Sequence, residues 1–80
     1  MADKTKPTAI ETYRMRRSDV ARLLDILDME LDKLTQRAEA EPANWGFAGT
    51  MGFVRTSLID LVEGISGIER QLIEDMLAEA

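Results

Sequence analysis

Carboxylates recur along the chain at a spacing that could hold a metal ion. Asp25, Asp28 and Asp32 lie at positions i, i+3 and i+7, so a helix would place them on one side. Asp60 and Glu63 form a similar pair in the second half. Carboxylate oxygens are the ligands that Mg²⁺ prefers in proteins. The chain contains no cysteine and no histidine, which excludes thiolate and imidazole as ligands, bases or nucleophiles.

Helical D/E-x-x-D/E pairs of this kind resemble those that hold Mg²⁺ in all-α nucleotide pyrophosphohydrolases, and the resemblance would imply a metal-dependent nucleotide hydrolase. Here, however, the carboxylates fall away from the apolar stripes, where the charged residues of any amphipathic helix lie. We therefore predict a solvated polar face. The prediction includes no catalytic residue, no metal site, no cofactor and no enzymatic activity.

A basic cluster near the N-terminus offers a second chemistry, nucleic-acid binding. The cluster consists of Arg14, Arg16, Arg17 and Arg22. Residues 1–22 carry six basic and three acidic side chains, whereas the whole chain has a net charge of −5. The overall acidity argues against nonspecific binding to polyanions. With the arginines on one face of a dimeric helical bundle, the chain resembles, in architecture alone, the small plasmid RNA-binding bundle that regulates copy number.

Pairing within the protein is the interpretation of the basic cluster that we prefer. Positive charge in the first turns of a helix opposes the helix dipole, and negative charge in the last turns does likewise. In an antiparallel hairpin, the first three arginines of the cluster fall beside Glu74, Asp75 and Glu79. Each unfavourable end would then neutralise the other, and nucleic-acid binding remains the alternative function.

Three glycines mark the middle of the chain. Gly46, Gly49 and Gly52 have a G-x-x-G-x-x-G spacing that is neither a dinucleotide fingerprint nor a P-loop, since no strand precedes it and no lysine follows it. We interpret it as a turn that needs positive φ angles. The segment Asn44-Trp45-Gly46-x-x-Gly49 resembles the central turn of small bacterial helical proteins that have no assigned activity, over about a dozen residues.

Two groups of apolar residues are candidates for binding a partner protein. Trp45 and Phe47 lie in the central turn and would either plug the end of a bundle or anchor a partner. Met15, Ile26 and Met29 fall off the main apolar stripe of the first helix, beside basic side chains. They are either tolerated surface residues or an adaptable docking surface for an amphipathic helix.

The first half of the chain predicts one long helix over about residues 8–40, after a flexible leader over residues 1–7. Thr8 and Glu11 form a capping box, and Pro42 prevents the helix from continuing. Apolar residues recur at heptad spacing and cover about 100° of the helix, which suits one contact seam. They are Tyr13, Val20, Leu24, Leu27, Leu31, Leu34 and Ala38, with Leu23 at the edge of the stripe.

The second half predicts a turn over about residues 41–50 and one helix over about residues 51–79. Asn44 and Thr50 are both candidate caps, and Thr50 is preferred because each glycine inside a helix costs about 1 kcal/mol. A kink at Gly64–Gly67 is the competing possibility. Apolar residues cover about 180° of this helix, more than one seam can use. The predicted dimer interface consists of Val54, Leu58, Leu61, Ile65, Ile68 and Leu72.

The predicted fold is therefore all-α: an antiparallel two-helix hairpin that dimerises into a four-helix bundle with coiled-coil packing. An 80-residue chain without disulfides commonly needs oligomerisation to be stable. The longest uncharged run, residues 42–54, is too short to span a bilayer, and the N-terminal residues do not resemble a signal peptide. We expect a cytoplasmic, non-enzymatic interaction or regulatory protein that acts as a homodimer.

Overall fold

A computed structural model describes residues 6–79 of the chain. Every regular element within those residues is an α-helix: α1 spans Ala9–Ala40, α2 spans Trp45–Ser66 and α3 spans Arg70–Ala78. The predicted all-α class is confirmed. Internal contacts divide the chain into two units, one that contains α1 and one that contains α2 and α3. Most of the predicted leader lies outside the described residues.

The first unit is a single long helix. The backbone N–H of Glu11 donates to Thr8 Oγ1 over 3.2 Å, so Thr8 satisfies one of the free amides at the helix start. The helix ends at Ala40, two residues before Pro42, and α1 has no buried residue. Its apolar stripe therefore remains largely accessible to another helix.

The second helix begins earlier than predicted. The structure starts α2 at Trp45 and not near Met51, with Asn44 as its N-cap. Asn44 Oδ1 accepts from the backbone N–H of Gly46 over 2.9 Å. A Cβ at Gly46 would lie only 3.0 Å from that oxygen, so glycine permits the close approach of the cap. The cap and the apolar periodicity outweigh the helix-propensity cost of the glycines.

The prediction of positive φ angles in the central glycines is also wrong, because Gly46, Gly49 and Gly52 lie inside α2. Within residues 6–79, the glycine with positive φ is Gly67, at φ 73°. Gly67 is the C-cap of α2, and its N–H donates to the carbonyl oxygen of Glu63 over 2.9 Å. Glycine suits this position because the left-handed conformation is strained for residues that carry a Cβ.

The helix predicted over residues 51–79 is consequently two helices. After Gly67 the chain turns back and α3 packs against α2. The buried residues of the described chain are Ile59, 4% exposed on α2, and Ile73, 7% exposed on α3. Arg55 forms an ion pair with Glu74 over 3.7 Å across the same two helices. The second unit is thus a bent helix pair with a very small apolar core.

Candidate functional site

The three aspartates of α1 remain apart from other metal-binding groups. Asp25, Asp28 and Asp32 are all exposed. Over residues 6–79, no three carboxylates come close enough together to hold a metal ion. Lys33 forms an ion pair with Glu30 over 3.0 Å on the same helix, a short-range contact on the helix surface. Asp25, Asp28 and Asp32 therefore lie on an exposed polar face of α1.

The carboxylate pair on α2 has a structural role that the sequence analysis missed. Glu63 Oε2 accepts from the backbone N–H of Arg70 over 2.8 Å and is half-buried, so it caps the start of α3. Asp60 forms an ion pair with the guanidinium of Arg70. Both contacts cross the bend between the helices. They join residues seven and ten positions apart, a separation that helical periodicity does not pair.

The basic cluster lies on the first four turns of α1. Arg14, Arg16, Arg17 and Arg22 are all exposed. Within the described part of α1, none of the four forms an ion pair or a hydrogen bond through its side chain. Their charges are therefore accessible along this helix. The predicted pairing of three of them with Glu74, Asp75 and Glu79 stays a prediction.

The aromatic candidates of α2 differ in exposure. Trp45, the first residue of the helix, is 85% exposed, whereas Phe47 is half-buried. Phe53, which the sequence analysis did not single out, is 73% exposed. Trp45 and Phe53 are eight residues apart and share one side of the helix. Their spacing on a helix that includes residues 45–50 is the signal that could have identified the pair.

The apolar stripe predicted as the dimer interface is interrupted by the bend. Leu58 and Leu61 lie on α2 and are exposed, Ile68 lies between the helices, and Leu72 lies on α3. Ile65 is 86% exposed, the highest value among the large apolar residues. Val54 is half-buried. Only part of the predicted interface therefore forms one exposed segment, which consists of Leu58, Leu61 and Ile65 on α2.

The third candidate surface is the second apolar patch of α1. The structure leaves Met15, Ile26 and Met29 exposed on this helix. Exposed apolar residues are common on proteins, so exposure by itself does not assign a partner to them. The patch nevertheless has the accessibility that docking of another helix requires.

An apolar groove runs between α2 and α3. It has a volume of about 210 Å³, and its walls come from both helices. The lining residues are Arg55, Leu58, Ile59, Val62, Ile73 and Leu77. Among the described residues that line this groove, Arg55 is the titratable one and the other five are apolar.

Comparison with models of protein families, with curated proteins and with solved structures found no match to this chain. Among the helices that the structure describes, none combines the length and the hydropathy that crossing a membrane requires.

Proposed function

We propose that this protein is a small, non-enzymatic interaction or regulatory protein of the cytoplasm that acts as a homodimer. The observation that carries the proposal is the imbalance between exposed and buried apolar residues. Within the described chain, only Ile59 and Ile73 are buried, while eighteen large apolar side chains are exposed. A core of two residues contributes little stabilisation, and burial of the exposed stripes in a dimer would supply more.

The arrangement that suits these stripes best is an antiparallel hairpin that pairs with a second hairpin as a four-helix bundle. The heptad spacing of both halves favours side-by-side packing with another helix of the same repeat. A second copy of the chain supplies such helices, and a two-fold interface presents the same surface twice. Leu61 and Ile65 are the exposed residues expected at its centre.

Self-association can be tested by co-expressing two versions of the chain, one of them with an affinity tag. We expect the untagged chain to co-purify with the tagged chain. The same pair carrying Thr56→Asp is the control, since Thr56 is exposed and lies opposite Ile65 around α2. Recovery of the tagged chain alone from the wild-type pair would contradict the proposal.

The exposed patch of α1 is the proposed docking surface for a protein partner. Ile26→Glu should leave folding and dimerisation intact and abolish co-purification of that partner. Ala21→Glu adds the same charge to the exposed polar side of α1 and is the matched control. If Ile26→Glu instead prevents folding, the patch belongs to the core and our assignment of the α1 faces is wrong.

Nucleic-acid binding is the second candidate function, favoured by the accessible arginines of α1. Electrostatic binding through them would weaken steeply with salt, because bound counterions are released from the phosphates. The test is a titration of duplex DNA and RNA with wild type and with Arg14, Arg16 and Arg17 changed together to Gln. A submicromolar Kd of wild type in physiological salt, lost in the triple variant, would establish this function in place of the first.

A further inference from the structure

The apolar repeat of the second unit continues in the sequence across the bend between α2 and α3. Val54, Leu58, Leu61, Ile65, Ile68 and Leu72 follow one another at intervals of four, three, four, three and four residues. This is a heptad repeat without interruption, and a heptad repeat lines up only along a continuous helix. The structure nevertheless divides the repeat between Ile65 and Ile68. The sequence thus encodes a longer stripe than the bent conformation presents.

The bend itself has few supports, and most of them are weak. Gly67 adopts φ 73°, and Ser66 Oγ accepts from the N–H of Ile68 over 3.1 Å. Glu63 caps Arg70, and the two ion pairs across the helices involve side chains that are 38–59% exposed. Exposed ion pairs contribute little to stability. The apolar support is the contact that buries Ile59 and Ile73.

Straightening the bend would exchange one set of buried residues for another. In the bent form, Ile65 and Leu72 are exposed and lie on different helices. In a continuous helix they would lie on one side, two turns apart, with Ile68 between them. The burial of Ile59 and Ile73 between α2 and α3 would be lost. Straightening is therefore favourable only where another surface covers the completed stripe.

The length of the stripe indicates what that surface is. Met51 and Phe47 extend the repeat toward the N-terminus at intervals of three and four residues. From Phe47 to Ile65 the repeat covers nineteen residues, fewer than three heptads, and from Phe47 to Leu72 it covers twenty-six, nearly four. Apolar heptads sustained over about three to four repeats are the pattern typical of a coiled coil. A second copy of the chain brings the same repeat in the same length, so the two straightened helices would match along their whole stripes.

From these observations, and resting on the proposed homodimer, we propose that α3 is a latch. In the free chain α3 folds back on α2. When a second copy docks on the heptad stripe, the chain opens at Gly67, and α2 and α3 become one continuous helix that completes the dimer interface. Dimerisation and the opening of the bend are then one coupled equilibrium.

The coupling predicts a distance that changes with protein concentration. Spin labels on Thr56→Cys and Asp75→Cys would react specifically, since the chain has no other cysteine. In the bent form these positions adjoin the Arg55–Glu74 ion pair, and the labels should lie within about 20 Å. In a continuous helix nineteen residues separate them, a distance of about 28 Å. Mixing the labelled chain with an excess of unlabelled protein removes the distances between labels on different chains from the measurement.

We expect the short distance at low concentration and the long distance to grow in step with the dimer, measured by sedimentation in the same samples. Gly67→Ala should shift the population ratio toward the long distance by about fivefold to tenfold, because alanine disfavours positive φ. Gly67→Asn should shift it less, since asparagine tolerates that conformation better. Gly52→Ala is the control, because Gly52 lies across α2 from the heptad stripe and a Cβ there would meet no atom within 4 Å. This variant should leave the population ratio unchanged.

The wild-type titration separates this inference from the function on which it rests, and it does not depend on any variant. A dimer that shows only the short distance overturns the latch and leaves the homodimer intact. A monomer at every concentration overturns both. A long distance that is independent of concentration also overturns the latch, because opening would then be uncoupled from association.

Discussion

The two units of this protein obtain their helical structure in different ways. α1 is a 32-residue helix without a buried residue, supported by its Thr8 cap and by contacts along its own surface. α2 and α3 are shorter, but they bury Ile59 and Ile73 and share two ion pairs. Since most helical stability in proteins comes from packing an apolar face, the comparison shows that the second unit has some packing of this kind, whereas α1 buries no residue.

The largest effect should come from placing a charge in the proposed interface. We expect Ile65→Asp to cost more than about 3 kcal/mol, because an unpaired carboxylate would be buried between chains, and to give unstable monomers or an unfolded chain. Met29→Asp places the same charge on the exposed patch of α1 and should change stability by less than about 0.5 kcal/mol. Urea unfolding followed by circular dichroism measures both. Equal stability of Ile65→Asp and Met29→Asp would show that Ile65 is not part of the interface.

The small core of the second unit provides the next test. Ile59→Ala should destabilise the α2–α3 pair by about 2 to 4 kcal/mol, the usual cost of this truncation at a buried site. Hydrogen exchange should then show faster exchange of α3 amides, with the central amides of α1 as a reference within the same sample. Ile26→Ala removes the same atoms from an exposed site and is the matched control. Unchanged protection of α3 in Ile59→Ala would contradict the packing described here.

The N-terminal caps of α1 and α2 allow a direct comparison of the two units, with a smaller expected effect on the free energy of unfolding. Asn44→Ala should lower the free energy of unfolding by about 1 kcal/mol, because the N–H of Gly46 loses its acceptor. Asn44→Asp retains an acceptor and should remain close to wild type. Thr8→Ala is the equivalent change in α1, where the contact is longer. Identical thermal unfolding of the alanine and aspartate variants at position 44 would show that α2 does not begin at this cap.

The smallest effect concerns the arginines of α1. If they pair with the acidic end of the second unit, changing Arg14, Arg16 and Arg17 together to Gln should reduce stability by less than about 1 kcal/mol. The difference should shrink as salt is added, because exposed charges are screened. Thermal unfolding at low and high ionic strength measures this. A triple variant that is more stable than wild type would exclude the pairing.

Local signals made α1 predictable from the sequence. Thr8, the heptad repeat and Pro42 all act within a few residues of the helix that they define, and the helix lies within one residue of the predicted span. The start of α2 is harder to predict because opposing effects compete there. Each glycine inside the helix costs about 1 kcal/mol, whereas the Asn44 cap contributes about 1 kcal/mol and is supported by the apolar periodicity.

The bend at Gly64–Gly67 is the competing possibility of the sequence analysis and not its preferred one, because the residues that support the bend are far apart in a helical pattern. Glu63 accepts from the N–H of Arg70, Asp60 pairs with the same residue, and the buried residues Ile59 and Ile73 are fourteen positions apart. The heptad repeat continues through Gly67 and favours a straight helix. Phe53 was overlooked for a related reason, since its exposure beside Trp45 depends on the earlier start of α2.

Sedimentation equilibrium of the wild-type protein from submicromolar to hundreds of micromolar tests the central claim most directly. The chain has a mass of 9.0 kDa, and we predict a reversible approach to twice that mass at micromolar concentration. Circular dichroism of the same samples would report whether the helices are formed. A well-folded protein with the mass of one chain over the whole range would contradict the account.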